Sequence, residues 1–279
     1  MNEAQEIVRD EFVQLNGLRL HYRDWLSTTP DAPILLLIHG FTHHSRTWDS
    51  FALAMRDRFR VLALDMRGHG ESQWAPRDQY SPLYLADDIE AFVKALGLRQ
   101  FAVLGLSLGG RAAYTYASRR PPELSRLVIV DIAPLTAPAG SARVISTVTG
   151  AYEFPSSEDA ISLAQSLAPN QLPDEVRHRI ENNLVRLADG RCAYRYDRAF
   201  HEDPAVVAVP QEHGWESLAR ITVPTLLIRG ADSDVLTPEL ASRIVETIPG
   251  CQFVRITGAG HVVHHERPDE FAEAVRAFL

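Results

Sequence analysis

Four kinds of group in this chain could share one reaction: a serine hydroxyl, an imidazole, a carboxylate and free main-chain N–H groups. Ser107 stands in Gly105-Leu106-Ser107-Leu108-Gly109. The residues before it, from Phe101, are apolar and strand-prone, and those from Arg111 to Ala117 suit a helix. A strand, a tight turn and a helix would lift the Ser107 hydroxyl clear of a sheet, with glycines two residues either side letting strand and helix close. The N–H of Leu108 would then open the helix, free to stabilise an oxyanion. A hydroxyl is a weak nucleophile at neutral pH and needs a base. His261, in Gly258-Ala259-Gly260-His261 after the last strand-like run, supplies an imidazole whose ordinary pKa suits that task. The ring in turn needs a carboxylate to orient it. Asp234 ranks first for that place, ahead of Asp131 and Asp232, all three following apolar runs. A second oxyanion donor would be the N–H of Phe41, in the His39-Gly40-Phe41 turn.

The elements that must position these groups alternate strand and helix. Residues 11–15 and 18–25 read as two strands about Asn16-Gly17, the strongest short hairpin signal. An unbroken apolar run at 33–38 and apolar-rich runs at 60–65, 101–106, 125–130 and 223–228 suit strands covered on both faces, and 252–256 is a last strand. Helices are expected over 47–55, 82–96, 238–248 and 268–279, with Gly97 and Pro121-Pro122 as stops. Between residues 136 and 217 the spacing is helical, at 139–149, 158–167 and 174–187, with one short extended piece over 192–196. Alternation of this kind makes an α/β fold with a mostly parallel, eight-stranded sheet, helices on both faces and an inserted helical cap. The core is residues 1–135 and 218–279, and the cap 136–217. In such a sheet the strand ends share one edge, so Ser107, the three aspartates and His261 can meet there.

Composition narrows the classes. The chain has 279 residues, 46% of them hydrophobic, enough for a substantial core. A net charge of −8 with no basic stripe argues against a nucleic-acid partner. Two cysteines, Cys192 and Cys251, make no disulfide framework and read as free thiols. The acidic start, Met1 to Glu6, lacks the basic and apolar regions of a signal peptide, and no run is long enough for a membrane span, so a cytoplasmic protein acting on a small molecule is expected. Asp65, Arg67 and Ser72 read as a network holding a glycine-rich loop, with a catalytic Asp65 the lesser alternative. His39 reads as a structural hydrogen-bonder, His43 and His44 as loop surface or pocket rim, and Trp48 as facing the site. His264, His265 and Glu266 with His261 lack metal-ligand spacing, and His265 and Glu266 read as capping groups. No metal or cofactor is called for.

Taken together, His39-Gly40-Phe41, the Asp65-to-Ser72 loop, Gly105-to-Gly110 and Gly258-to-His261 resemble the α/β-hydrolase fold superfamily across nearly the whole chain outside the cap. The resemblance implies a Ser-His-acid triad in the order Ser107, Asp, His261, and an oxyanion hole from the N–H groups of Phe41 and Leu108. Two departures stand out. Ser233 occupies the slot three residues after Gly230 where the common acid falls, and some members place the acid after the sixth strand, where Asp131 stands. Leu106 also stands where relatives often have histidine. The activity expected is a serine hydrolase cleaving a small ester, lactone or amide through an acyl-enzyme. The alternatives are carbon–carbon bond hydrolysis of the meta-cleavage type, with Arg191, Arg195 or Arg198 binding a substrate carboxylate, and a ligand receptor that retains the triad.

Overall fold

The computed structural model describes residues 7–279, so the expectation for residues 1–6 lies outside the described residues. Eight strands form the main sheet: β1 (Val8–Leu15), β2 (Leu18–Trp25), β3 (Ile34–Ile38), β4 (Arg60–Leu64), β5 (Phe101–Leu106), β6 (Leu124–Val130), β10 (Thr225–Gly230) and β11 (Gln252–Ile256). Three further strands, β7 (Glu153–Phe154), β8 (Leu184–Arg186) and β9 (Cys192–Tyr194), make a separate antiparallel sheet in the order β7-β9-β8. The main order is β1-β2-β4-β3-β5-β6-β10-β11. The β1-β2 and β2-β4 pairs are antiparallel and the rest parallel. Asn16 and Gly17 both take positive φ, 49° and 80°, as the expected hairpin turn requires.

Burial on both faces explains the apolar runs. Leu36, Ile38, Leu62, Leu64, Val103 and Ile129 point to one face. Their neighbours Leu35, Leu37, Val61, Ala63, Leu104 and Val130 point to the other. That is the two-residue period of a pleated strand with no solvent side. On the first face lie helices α2 (Pro82–Ala95) and α3 (Leu108–Ala117), and α9 (Pro238–Thr247). On the second lie α1 (Asp49–Met55) and α11 (Pro268–Phe278).

Between β6 and β10 run α4 (Pro138–Val148), α5 (Ser157–Leu167), α6 (Pro173–Asn182), α7 (Arg198–Glu202) and α8 (Gln211–Ala219), together with the small sheet. The segment has its own apolar cluster, of Phe154, Ile161, Val176, Ile180 and Leu184 among others. Two details differ from the sequence reading. The helix expected over 174–187 stops at Asn182, and Leu184–Arg186 turns into β8, which pairs with β9. The helix α8 packs its Leu218 into the main core, and a Cβ on Gly214 would meet Pro134 at 2.5 Å. A four-residue helix, α10 (Val263–Glu266), precedes α11.

Candidate active site

Ser107 sits where β5 becomes α3, at φ 54° and ψ −119°, a conformation that costs a residue with a side chain. Its N–H donates to Val130 O at 3.0 Å, and its carbonyl accepts from Arg111 N at 3.0 Å. The bend is this sharp only because of the glycines either side. A Cβ on Gly105 would stand 2.3 Å from Gly109 O, and one on Gly109 would stand 2.4 Å from the carbonyls of Ile38 and His39. The elbow is thereby pressed against the end of β3. A Cβ on Gly40 would stand 3.5 Å from Ser107 Cβ, so the turn after β3 borders the serine. In that turn the N–H of Phe41 has no hydrogen-bond partner among the described residues. The N–H of Leu108, first in α3, has no carbonyl a turn earlier within the helix.

His261 brings its ring to Asp131 and not to Asp234. Its Nδ1 lies 2.8 Å from Asp131 Oδ2. That carboxylate is wholly buried, while the imidazole retains 11% exposure. Asp131 Oδ2 also accepts from Ser233 Oγ at 2.5 Å, and Oδ1 accepts from Gly230 N at 3.1 Å. A carboxylate in that position accepts the Nδ1–H and leaves Nε2 free, which is the arrangement a general base needs. The first choice of the sequence reading, Asp234, faces the inserted segment. Arg143 of α4 forks onto it, Nε to Oδ2 and Nη2 to Oδ1, each at 2.7 Å. That hydrogen-bonded guanidinium lowers the Asp234 pKa. Asp232 stands exposed at the rim. Sequence could not see the difference, because Arg143 is 91 positions from its partner.

A cavity of about 380 Å³ has Ser107, His261, Gly40 and Phe41 on its wall beneath α4, α5 and α6. The arginines named from sequence are elsewhere. Arg191 pairs with Asp189 and Glu153, Arg198 lies near Glu153 and Glu202, and Arg195 reaches only Leu184 O at 3.5 Å. The arginines that do line the cavity are Arg143 and Arg179. A signal for Arg179 existed: it falls beside Val176 and Ile180 on the buried stripe of α6, where an arginine is out of place.

The remaining candidates hold loops. His39 Nδ1–H donates to Gly40 O at 2.8 Å and its Nε2 accepts from Met66 N at 3.0 Å, while burial pushes its pKa down to about 3. Asp65 accepts from Ser45 N, His21 Nδ1 and Glu71 N. Burial would raise its pKa, but the hydrogen bond and charge of His21 hold it far below the usual carboxylate range. Arg67 forks onto Asp88 and Ser72 Oγ donates to Asp65 O, so both belong to the loop network. Glu266 accepts from Gly260 N and Val262 N and so stiffens the loop carrying His261. Of the two histidines expected at the loop surface or pocket rim, His43 lines the cavity, whereas His44 is buried, with Nε2 against the main-chain oxygen of Arg179 at 2.8 Å. Trp48 is buried too, stacked on His264 rather than facing the cavity. Cys192 and Cys251 are free thiols.

Comparisons with known proteins agree on the architecture. The model of a family described as "Alpha/beta hydrolase family" matches residues 35–274. The sn-1-specific diacylglycerol lipase of Mus musculus is 31% identical, over 96% of this chain and 88% of its own. A 2-(acetamidomethylene)succinate hydrolase from Mesorhizobium japonicum is 27% identical over 100% of this chain and 99% of its own. Among solved structures, an alpha/beta hydrolase from Novosphingobium aromaticivorans superposes with a TM-score of 0.86 at 27% identity, covering 99% of each chain.

Proposed function

The chain belongs to the alpha/beta hydrolase family, and from that premise we propose that it is a serine hydrolase of small esters or amides. Ser107 Oγ attacks the substrate carbonyl carbon and gives its proton to His261 Nε2. Asp131 keeps Nδ1 protonated and stabilises the imidazolium that forms. The N–H groups of Phe41 and Leu108 hold the tetrahedral oxyanion. Collapse of that intermediate breaks the bond to the alcohol or amine, which leaves with the proton from Nε2. Water, deprotonated by the same nitrogen, then releases the acid from Ser107. Residues 136–217 act as the cap that closes over the acyl group.

The observation that carries this reading is one constellation. A serine on a strained elbow and a histidine anchored at 2.8 Å on a wholly buried aspartate line the same cavity. Esters and amides are the scope because the relatives include a lipase and a hydrolase whose name gives an acetamido substrate. The test is labelling by a fluorophosphonate and turnover of 4-nitrophenyl acetate. Both are expected in the wild type, and Ser107→Ala should abolish labelling and lower kcat by about four orders of magnitude. Turnover retained in that variant rejects the covalent mechanism. Among the described residues no helix is long and apolar enough to cross a membrane.

A further inference from the structure

Most of the arginines that reach the interior have somewhere to put their donors. Arg67 forks onto Asp88 and Arg143 onto Asp234. Arg111 donates to the main-chain oxygens of Ala133 and Pro134, and Arg229 to those of Leu236, Ala231 and Ser233. Two are different: Arg179 and Arg195 each have one hydrogen bond at 3.5 Å, to Gln171 Oε1 and Leu184 O, and a buried Nε without a partner among the described residues. Of the two, the one that lines the cavity is Arg179. No carboxylate among the described residues lies within ion-pair distance of it. The nearby acids are committed: Glu266 to Gly260 N and Val262 N, Asp234 to Arg143, and Glu175 to Ser50 Oγ and, at 3.7 Å, His265. Asp232 stands exposed at the rim.

Arg179 is half-buried with its Nε fully buried, and a cation taken partly out of water is unfavourable unless a counter-charge reaches it. Burial accordingly lowers the Arg179 pKa. His43, on the same cavity wall, also has a buried Nδ1 without a partner. A planar guanidinium fork with unused donors beside an imidazole is the geometry that accepts a carboxylate through two parallel hydrogen bonds. The cavity that Arg179 and His43 line is the one holding Ser107 and His261. We propose that Arg179, with His43 beside it, is the subsite for a carboxylate carried by the substrate. The enzyme then selects acyl groups that end in a carboxylate over neutral ones of the same length. As a statement about turnover this rests on the serine-hydrolase reading; as a statement about binding it does not.

The experiment separates the two. Turnover of mono-4-nitrophenyl glutarate is compared with that of 4-nitrophenyl valerate, which has the same chain length but ends in a methyl group. The wild type should favour the glutarate ester in kcat/KM by at least about tenfold. In Arg179→Met that ratio should fall by roughly 30- to 100-fold, the scale of one charge-assisted pair, with Arg179→Lys in between. Free glutarate should raise the Tm of the wild type and of Ser107→Ala, and leave that of Arg179→Met unmoved. Arg179→Met should itself melt no lower than the wild type without ligand, since an uncompensated half-buried charge has gone. A selectivity ratio unchanged in Arg179→Met, or a wild type whose Tm ignores glutarate, overturns the proposal. Sulfate giving the same shift as glutarate overturns the carboxylate assignment in favour of a general oxyanion seat. Valerate turnover that survives Ser107→Ala rejects the serine reading instead, and the glutarate shift then decides the subsite on its own.

Discussion

Replacing the buried carboxylate behind His261 is the most direct challenge to the proposed mechanism. Asp131 accepts three hydrogen bonds: Oδ2 takes His261 Nδ1 and Ser233 Oγ, and Oδ1 takes Gly230 N. Asparagine has one acceptor oxygen and one donor NH2. With its oxygen toward His261, the NH2 opposes the Gly230 N–H. With its oxygen toward Gly230, the NH2 opposes His261 and forces the proton onto Nε2, the nitrogen that must act as base. Either way the negative charge is lost. At a charge separation of ~4 Å and an effective dielectric near 20, that charge is worth about 4 kcal/mol to the imidazolium, or roughly a thousandfold in rate. The tautomer penalty adds to it, so Asp131→Asn should lower kcat by about 10³ to 10⁴. Asp234→Asn makes the contrast. It breaks only the half-exposed pair with Arg143, where a loss of about 0 to 1 kcal/mol is the rule, so kcat should stay within about threefold to fivefold. Steady-state kinetics on 4-nitrophenyl acetate, with circular dichroism to show that both variants fold, decides it. A thousandfold loss in Asp234→Asn with Asp131→Asn near wild type would refute the assignment of the acid.

Three further outcomes follow from the same geometry. Ser107 is held at φ 54°, where glycine is at ease, so Ser107→Gly should be inactive yet more stable. Relief of ~1 to 3 kcal/mol of strain, less up to ~1 for the freer unfolded chain, predicts a Tm increase of a few degrees; a lower Tm contradicts the strained elbow. Acid should destabilise the protein from about pH 6 downward. Burial holds His39 and His265 at about 3 and His44 and His69 at about 4. Between those values and 6.5 the unfolded chain binds protons that the folded rings refuse, so stability falls with pH, by on the order of 1.4 kcal/mol per unit for each ring. His21 opposes this. Burial lowers its pKa, but the hydrogen bond and charge of Asp65 raise it further, so its stabilisation is present in acid and fades as pH rises through the raised value. Urea midpoints that stay flat between pH 7 and pH 5 contradict the buried neutral rings. Last, exchanging Asp131→Ser with Ser233→Asp should restore at least about tenfold of the activity lost in Asp131→Ser alone; no recovery means the two positions do not address the same point on His261.

Much of this was legible in residue order because the physics is local. Both faces of the central strands are covered, so β3, β4, β5, β6 and β10 read as apolar runs, whereas β1 and β2 are legible from the Asn16-Gly17 turn between them and β11 as a short strand after the last turn. The elbow was legible because glycine is compulsory there, where any Cβ would strike main chain. What failed to show depends on contacts across long stretches. Glu153–Phe154 and Leu184–Arg186 are two and three residues long, too short for a two-residue period to declare itself, so the small sheet was invisible except for its middle strand. The burial of His44 follows from α6 settling over it, 135 positions away. Arg179 is the instructive case: its place on an apolar stripe is a readable anomaly, whereas the arginines that the segment offers further on, Arg191, Arg195 and Arg198, lie outside the cavity wall.

The acid is the point where local rules run out, and the sheet explains why. Strands β6 and β10 are parallel neighbours, with Val130 opposite Ile228, and the chain leaves both at the same edge. Asp131 N–H still donates to Ile228 O at 2.8 Å, so the first residue past β6 is tied to β10 before the two chains part. Carboxylates following either strand are therefore delivered to the same edge of the sheet, beside the cavity that His261 lines. Once Asp131 takes that place from β6, the β10 loop has no need of a second acid there, and a second carboxylate would be repelled by the first. Ser233 fits instead as a donor, at 2.5 Å to Asp131 Oδ2, and with Gly230 N it supplies hydrogen bonds to both oxygens of the buried carboxylate. Asp234, one residue further, is released from the ring and free to take the arginine from α4. The serine that looks like a gap in the acid motif and the aspartate that looks like the acid displaced by one residue are thus two consequences of one choice, made at the end of β6.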